Sequence, residues 1–578
     1  MRMKFQLNFL IVAAFLVSGT LGLEAAEGTL LDTAVDEVVR RDRAIERAWR
    51  AVKSEADLVA RRDQLREAMS RAIGAFPERC DLDARVLGTV ERKDYRVEKV
   101  LFASRPNHHV TAHLFLPSKG KKPHPAILMP CGHDVVGKLS QNHQRAAVRA
   151  AQEGFAALLY DPLDQGERFQ DPAFEKPSVH AHVNAGLRAH LLGWGFAQFR
   201  IWDGIRAVDY LVSRPDIDRS RIGVAGMSGG GTLTAYLFLH DERLKAACPM
   251  AFITDVASLV KGGPGPQDCE QIVFGQMTFG LNHLSFLLGG YPKPVCPGFT
   301  YGDFFPFAGS KQTFADAESL YRRFGHGDRI DHLEAPGKHR WLESEKKGLT
   351  LWMRRWLCGE EDALPFDRDA LMALNDPSLT NSLDDALANL PEGLVLTNGV
   401  RGLPGERSVY DILSDEAERL ARGVPTREAV RRLLGEPLAV NAALPFDASI
   451  RKGYWFRRGG EREQAAAVLA LLGRNYLANR VAEIVAEAKA YSASHDGRRM
   501  VLKAAGEDVI AAAHAWFLER ELFESVEVSN PPPSWSAVLK DPAAAIDLRT
   551  TVYGALTVYD WPDLLPKALG GEGNPGEE

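Results

Sequence analysis

Cysteine is scarce in this chain. Its 578 residues hold only six, Cys80, Cys131, Cys248, Cys269, Cys296 and Cys358, all before position 360. None falls into close-paired zinc spacing, and so sparse a set is not a disulfide framework. Mostly buried thiols are expected, with at most one or two bridges. A basic surplus is also missing: 70 Lys and Arg against 76 Asp and Glu give a formal charge of -6, which argues against nucleic acid or anionic lipid as partner. Long apolar runs are absent after the N-terminus, so no later segment is expected to cross a bilayer. What remains is a hydrophobic content of 45% and a charged content of 25%, the composition of a globular protein. The length calls for two or more domains.

The first 26 residues obey a separate logic. A short basic start (Arg2, Lys4), an apolar run from about Phe9 to Val17 and small residues up to Ala26 form the three-part pattern of a secretory signal peptide. Cleavage is expected near Gly22 to Ala26, with a secreted or periplasmic location. An uncleaved anchor is the alternative, although the run falls short of the roughly 20 residues a membrane helix needs. Residues 27–84 read as a helical segment packing on the catalytic domain behind it. Residues 85–360 read as that α/β domain, 361–390 as an acidic connection, 391–568 as a second, non-catalytic α/β region, and 569–578 as a disordered tail.

Within 85–360 the rhythm is regular. "YRVEKVLFASRPNHHVTAHLFLP" alternates apolar and polar residues around a turn and predicts a hairpin or meander. Then "HPAILMPCG", "FAALLYD" and "RIGVAG" read as strands, separated by the helical "NHQRAAVRAAQEG" and "GWGFAQFRIWDGIRAVDYLVSR". Strands alternating with helices predict a mostly parallel sheet covered on both faces.

At the end of the third strand stands Gly226-Met227-Ser228-Gly229-Gly230, succeeded by the helical "GGTLTAYLFLH". A serine between strand and helix, flanked by glycines that let the two backbones approach, fits the G-x-S-x-G nucleophile elbow. The helix N-terminus beyond it offers free N–H groups and a positive dipole end to an oxyanion. A Gly-rich turn without chemistry is the alternative.

Serine needs a base and an orienting acid, expected in the chain order Ser, Asp or Glu, then His. Of His240, His283, His326, His332 and His339, only the last lies on a loop between an expected strand ("RIDHLE", which includes His332) and an expected helix ("EKKGLTLWMRRWL"). His339 is therefore the candidate base. Asp303, in "VCPGFTYGDFFPF", is the candidate acid, with Asp255, Asp268 and Asp331 as rivals. The second oxyanion donor is expected from the loop in "ILMPCGHD", around Gly132 and His133. Glu167 and Arg168 of "DPLDQGERFQ", Met227, and Gln267 in the cap-like "GPGPQDCEQIVFGQMTFGLNH" are candidate substrate contacts. His133, Asp134 and His143 fall short of a metal signature; neither metal nor organic cofactor is expected.

A second passage echoes the first. In "RMVLKAAGEDVIAAAHAWFLEREL" Arg499 precedes Gly506 by seven positions, as Arg221 precedes Ser228. This predicts either a degenerate second strand–turn–helix, lacking the nucleophile, or a chance likeness between two amphipathic helices.

Taken in order and spacing, "PCGHDVVGK", "DPLDQGER", "FRIWDGIRAVDYL" and "GMSGGGTLTAYL" resemble the acetyl xylan esterase-like members of the α/β-hydrolase superfamily, near the prolyl-oligopeptidase-type hydrolases, and especially large exported bacterial proteins. The likeness covers roughly Ala75 to Leu357. It implies an α/β-hydrolase fold with Ser228 as nucleophile, Asp303 as acid and His339 as base, acting on a small-molecule or polysaccharide ester. It further implies that the C-terminal region is a degenerate hydrolase-like half. A serine peptidase and a non-catalytic carbohydrate-binding or scaffold protein are the alternatives. Oligomeric state is not legible.

Overall fold

The computed structural model describes residues 23–171, 181–261, 268–375, 393–420, 422–439 and 461–566. Most of the signal-like N-terminus, Gln267 and the C-terminal tail lie outside them, as does the second half of the acidic connection. Within that connection, 361–375 includes a short helix, Arg368–Ala373. No described helix is long and apolar enough to cross a membrane.

The centre is a nine-stranded sheet. Its strands in chain order are β1 (Arg85–Glu91), β2 (Tyr95–Arg105), β3 (His108–Pro117), β4 (His124–Pro130), β5 (Ala156–Tyr160), β6 (Ile217–Met227), β7 (Leu244–Met250), β8 (Gly298–Gly302) and β9 (Leu333–Lys338). In space they run β1-β2-β3-β5-β4-β6-β7-β8-β9. The expected hairpin is β2 and β3, antiparallel, with Asn107 at φ 56° in the turn. The pairs β5–β4, β4–β6, β6–β7, β7–β8 and β8–β9 are all parallel. Every residue of β4 and β5 is buried, as expected of parallel strands covered by helices on both faces. This is the α/β-hydrolase architecture that the motifs imply. Two helices, Leu23–Arg50 and Glu55–Ile73, precede the sheet. Trp49 anchors the first: it is fully buried and donates its indole N–H to Ser285 Oγ at 2.9 Å.

One strand differs from expectation. The sequence places a strand at "RIDHLE", but β9 begins only at Leu333, after His332, and runs on to Lys338. Ile330 makes no more than an isolated bridge to Val295. The alternation of apolar residues is satisfied either way, and pairing with β8 decides it: Gly298 faces Leu333 and Thr300 faces Ala335. The shift carries the strand end to the residue just before His339.

The C-terminal echo is real in the backbone. β10 (Met500–Ala505) leads into a turn at Gly506, then helix Asp508–Leu518, then β11 (Phe523–Ser529), parallel to β10. β6, Ser228, helix Gly229–His240 and β7 repeat that order. Gly506 has φ 59° and Ser228 φ 60°. The likeness extends upstream, where Leu191-Leu192-Gly193 and Leu471-Leu472-Gly473 end matching helices with their glycines at φ 71° and 72°. The two units touch reciprocally. Gly275 donates its N–H to Ala470 O at 2.8 Å, and Gly554 donates to His190 O at 2.9 Å. Phe274 and Tyr553 stack between them, 4.3 Å apart and 9° from parallel.

The Tyr553 hydroxyl lies 2.8 Å from Ala72 O and 2.6 Å from Gly193 O, joining three parts of the chain. Tyr553→Phe keeps the ring stack but strips both carbonyls of that partner. It is expected to cost about 1–3 kcal/mol, measurable as a lower urea midpoint.

Candidate active site

The strand β6 ends at Met227, and the chain turns through Ser228 at φ 60°, ψ -126° into helix Gly229–His240. A non-glycine residue there is strained by about 1–3 kcal/mol and persists only when its surroundings enforce it. Here they do: Ser228 N–H donates to Met250 O on β7 at 3.0 Å, and Thr232 N–H donates back to Ser228 O at 2.9 Å. The loop after β4 closes on the same point. A Cβ at Gly132 would run into the Met227 carbonyl and come 3.2 Å from Ser228 Cβ. On the other side, a Cβ at Gly229 would stand 2.7 Å from Glu270 Oε1 and 2.8 Å from His133 Nδ1. Of the expected oxyanion residues, Gly132 and Gly229 thus adjoin Ser228, and His133 lies against Gly229.

The candidate base and acid meet. Asp303 comes directly after β8 and His339 directly after β9. His339 Nδ1 lies 2.9 Å from Asp303 Oδ1 and 3.0 Å from Oδ2. The carboxylate is fixed from behind by Phe305 N–H at 3.0 Å and Thr300 Oγ1 at 3.1 Å. Phe304 lies over the imidazole, 4.1 Å between ring centres. The histidine loop is tied to the elbow through one side chain: Trp341 N–H donates to Asn142 Oδ1 at 3.1 Å, and Asn142 Nδ2 contacts Met227 Sδ at 3.6 Å. Asn142 carries no sequence signal that would have marked it.

The rival residues are engaged elsewhere. His240 packs on Phe76, His283 accepts from Thr254 N–H, His326 pairs with Glu55, and His332 pairs with Glu334. Asp331 caps His332 N–H and pairs with Arg368, and Asp255 caps Ser258 N–H. Asp268 faces His133.

Two expected substrate contacts are corrected. Glu167 is buried, paired with the fully buried Lys138, and accepts from Val395 N–H at 3.1 Å and from Leu396 N–H. Arg168 is fully buried, with Asp203 at 2.6 Å and His109 O at 3.0 Å. Glu167 joins the domain to the later chain, and Arg168 ties its loop to β3 and to helix Phe196–Ser213. Met227 is also buried, its sulfur turned to Asn142. All six cysteines are free thiols.

Electrostatics separate the carboxylates. Burial pushes Glu345, whose Oε2 accepts from Leu342 N–H, up to about 8, and nearby Asp303 adds to the rise. At neutral pH Glu345 is therefore protonated and adds no second negative charge beside Asp303. Burial alone would lower His133, but Asp268 and Glu270 outweigh it and the net shift is upward.

Residues 32–240 match a family model described as the abhydrolase family. Over 215 residues, 35% of this chain and 67% of the relative, the sequence is 25% identical to a putative hydrolase, YtaP, of Bacillus subtilis. Two further bacterial relatives are matched over 34% and 46% of their lengths. Among solved structures, methylesterase BT1017 is 19% identical with a TM-score of 0.48, over 65% of this chain and 78% of that one. A putative acetyl xylan esterase from Bacteroides fragilis is 17% identical with a TM-score of 0.40, over 50% and 81%.

The geometry can be probed at two positions. Gly229→Ala places a methyl against Glu270 and His133; alanine keeps the N–H but the clash displaces it, so Tm is expected to fall and fluorophosphonate labelling to slow, by up to the roughly 10²-fold that a lost oxyanion donor costs. Glu345→Gln tests the buried acid. The unfolded chain releases that proton near 4.5 and the folded chain only near 8, so wild-type stability falls as pH rises between them. Glutamine does not titrate. The Tm of the variant relative to wild type should climb across that window and level off above pH 8; a difference independent of pH would contradict this.

Proposed function

We propose that the chain is a serine esterase of the α/β-hydrolase superfamily, removing acyl groups, acetyl foremost, from carbohydrate. The observation that carries the reading is the His339–Asp303 pair on the loops after β8 and β9, tied through Asn142 to Met227, the residue before a serine held at φ 60°. With Nδ1 engaged by Asp303, the imidazole has Nε2 left for the serine hydroxyl. Ser228 Oγ attacks the ester carbonyl as its proton passes to Nε2, and Asp303 steadies the imidazolium that forms. The developing oxyanion is met by the N–H of Gly229 and by the Gly132–His133 loop. His339 then protonates the leaving alkoxide, and water, activated by the same imidazole, releases the acid from the acyl-enzyme.

Carbohydrate as the alcohol part is supported by the four motifs shared with the acetyl xylan esterase-like branch. It is also supported by the ring beside His339. Phe304, 4.1 Å from the imidazole between ring centres, is 42% exposed, an aromatic face on which the C–H face of a sugar can stack. Export belongs to the same reading and rests on the N-terminal pattern, which suits an enzyme acting on polymers outside the cell.

Acetate release from acetylated xylan and from small aryl acetates tests the proposal, with peptide amides as the contrast. Wild type should cleave the esters. Ser228→Ala should lose activity to background, and Asp303→Asn should fall about 10⁴-fold in kcat with the fold intact. Unchanged turnover in Ser228→Ala would overturn the reading, and faster cleavage of amides than esters would redirect it to a peptidase.

A further inference from the structure

A second cluster of chemically able side chains stands on the far side of Gly229 from Gly132. His133 comes from the loop after β4, His182 from the first turn of helix Ala181–Leu191, and Asp268 and Glu270 from the segment after 267. We propose that these residues form a binding site for a divalent transition-metal ion of the zinc class, with His133, His182 and Asp268 as ligands and Glu270 closing the set.

Three observations converge. The ligand atoms of His133, His182 and Asp268 all lie within 4.8 Å of one another, and among the described residues no other His, Cys, Asp or Glu trio gathers in this way. His133 Nε2 is 2.8 Å from Asp268 Oδ2, His182 Nε2 is 3.7 Å from the same oxygen, and Glu270 Oε1 is 3.6 Å from His133 Nε2. Tetrahedral zinc with bonds of about 2.0–2.2 Å sets its ligands some 3.3–3.6 Å apart, so side-chain movements of up to about an ångström seat the ion.

The second observation is what these atoms lack. His182 and Asp268 are buried, yet neither ring nitrogen of His182, nor His133 Nε2, Asp268 Oδ2 or Glu270 Oε1, has an aligned hydrogen-bond partner. Buried polar groups are rarely left so. His133 Nε2 and Asp268 Oδ2 are near enough to bond directly but do not line up. The third is the donor set: two carboxylates stand with two imidazoles, and the one guanidinium there, Arg200, reaches Glu270 through Oε2, 2.5 Å from its Nη1, leaving Oε1 toward His133. Two imidazoles with carboxylate oxygen select zinc-class ions over calcium or magnesium, which prefer all-oxygen sets. Bound there, the ion would tie the His133 loop to helix Ala181–Leu191 and to the Asp268 segment, bracing the wall against which Gly229 rests.

The metal site is independent of the esterase reading and is tested without an activity assay. The full chain is stripped with chelator, titrated with ZnSO₄, dialysed and measured for metal content and Tm. One equivalent of zinc per chain with a rise in Tm is expected. Ser228→Ala should bind the same equivalent, whereas Asp268→Asn and His182→Gln should retain less than about a tenth of it and show no zinc-dependent rise. Because either variant could fold poorly, both are compared with stripped wild type by circular dichroism. If they match it and bind no zinc, the site is supported. Stripped wild type that takes up no zinc, or native-like variants that still bind one equivalent, would overturn the proposal.

Discussion

A single backbone conformation organises this protein. Ser228 stands at φ 60°, where a side chain is disfavoured, because β6 must turn into its helix within one residue. The strain is balanced by hydrogen bonds to β7 and by glycines that allow the β4 loop and the helix to close around it. The candidate groups stand at strand ends of the same sheet: the Gly132–His133 loop after β4, Asp303 after β8 and His339 after β9. Each is positioned by the strand that precedes it. Asp303 is fixed further by Thr300 and Phe305, and the histidine loop by Asn142.

Much of this was legible in the sequence, and the reasons are local. The elbow announces itself because only small residues fit beside its serine, and the buried parallel strands announce themselves as apolar runs between helices. His339 and Asp303 were found by chain order and loop position. What stayed hidden depends on contacts between distant segments. The start of β9 moved past His332 because pairing with β8, not apolar alternation, sets it. Glu167 and Arg168 have the composition of a solvated loop, but the chain beyond the connection engages Glu167, and β3 and helix Phe196–Ser213 engage Arg168. Asn142 looks like any polar residue ahead of a helix until Trp341 and Met227 arrive on either side. The gathering of His133, His182 and Asp268 was invisible for the same reason: a metal-like spacing exists only in space.

The C-terminal region repeats the elbow without its chemistry. Gly506 takes the left-handed turn with no side chain, so the geometry remains while the nucleophile is gone. Its reciprocal contacts with the first unit, Gly275 on Ala470 and Gly554 on His190 with Phe274 stacked on Tyr553, resemble the self-complementary faces of a symmetric pair. That region also braces the segment from Gly275 to Thr278, which continues from Asp268 and Glu270 beside Gly229. The C-terminal unit therefore supports the segment that continues from one wall of the candidate site.

In the esterase reading the strained hydroxyl of Ser228 is activated by His339. The most direct test is fluorophosphonate labelling of the intact chain, with the adduct located by peptide mass spectrometry. A single stoichiometric adduct on Ser228, abolished in Ser228→Ala and strongly slowed in His339→Ala, is the predicted result. A folded wild-type protein that remains unlabelled, or carries its adduct on another residue, would contradict it.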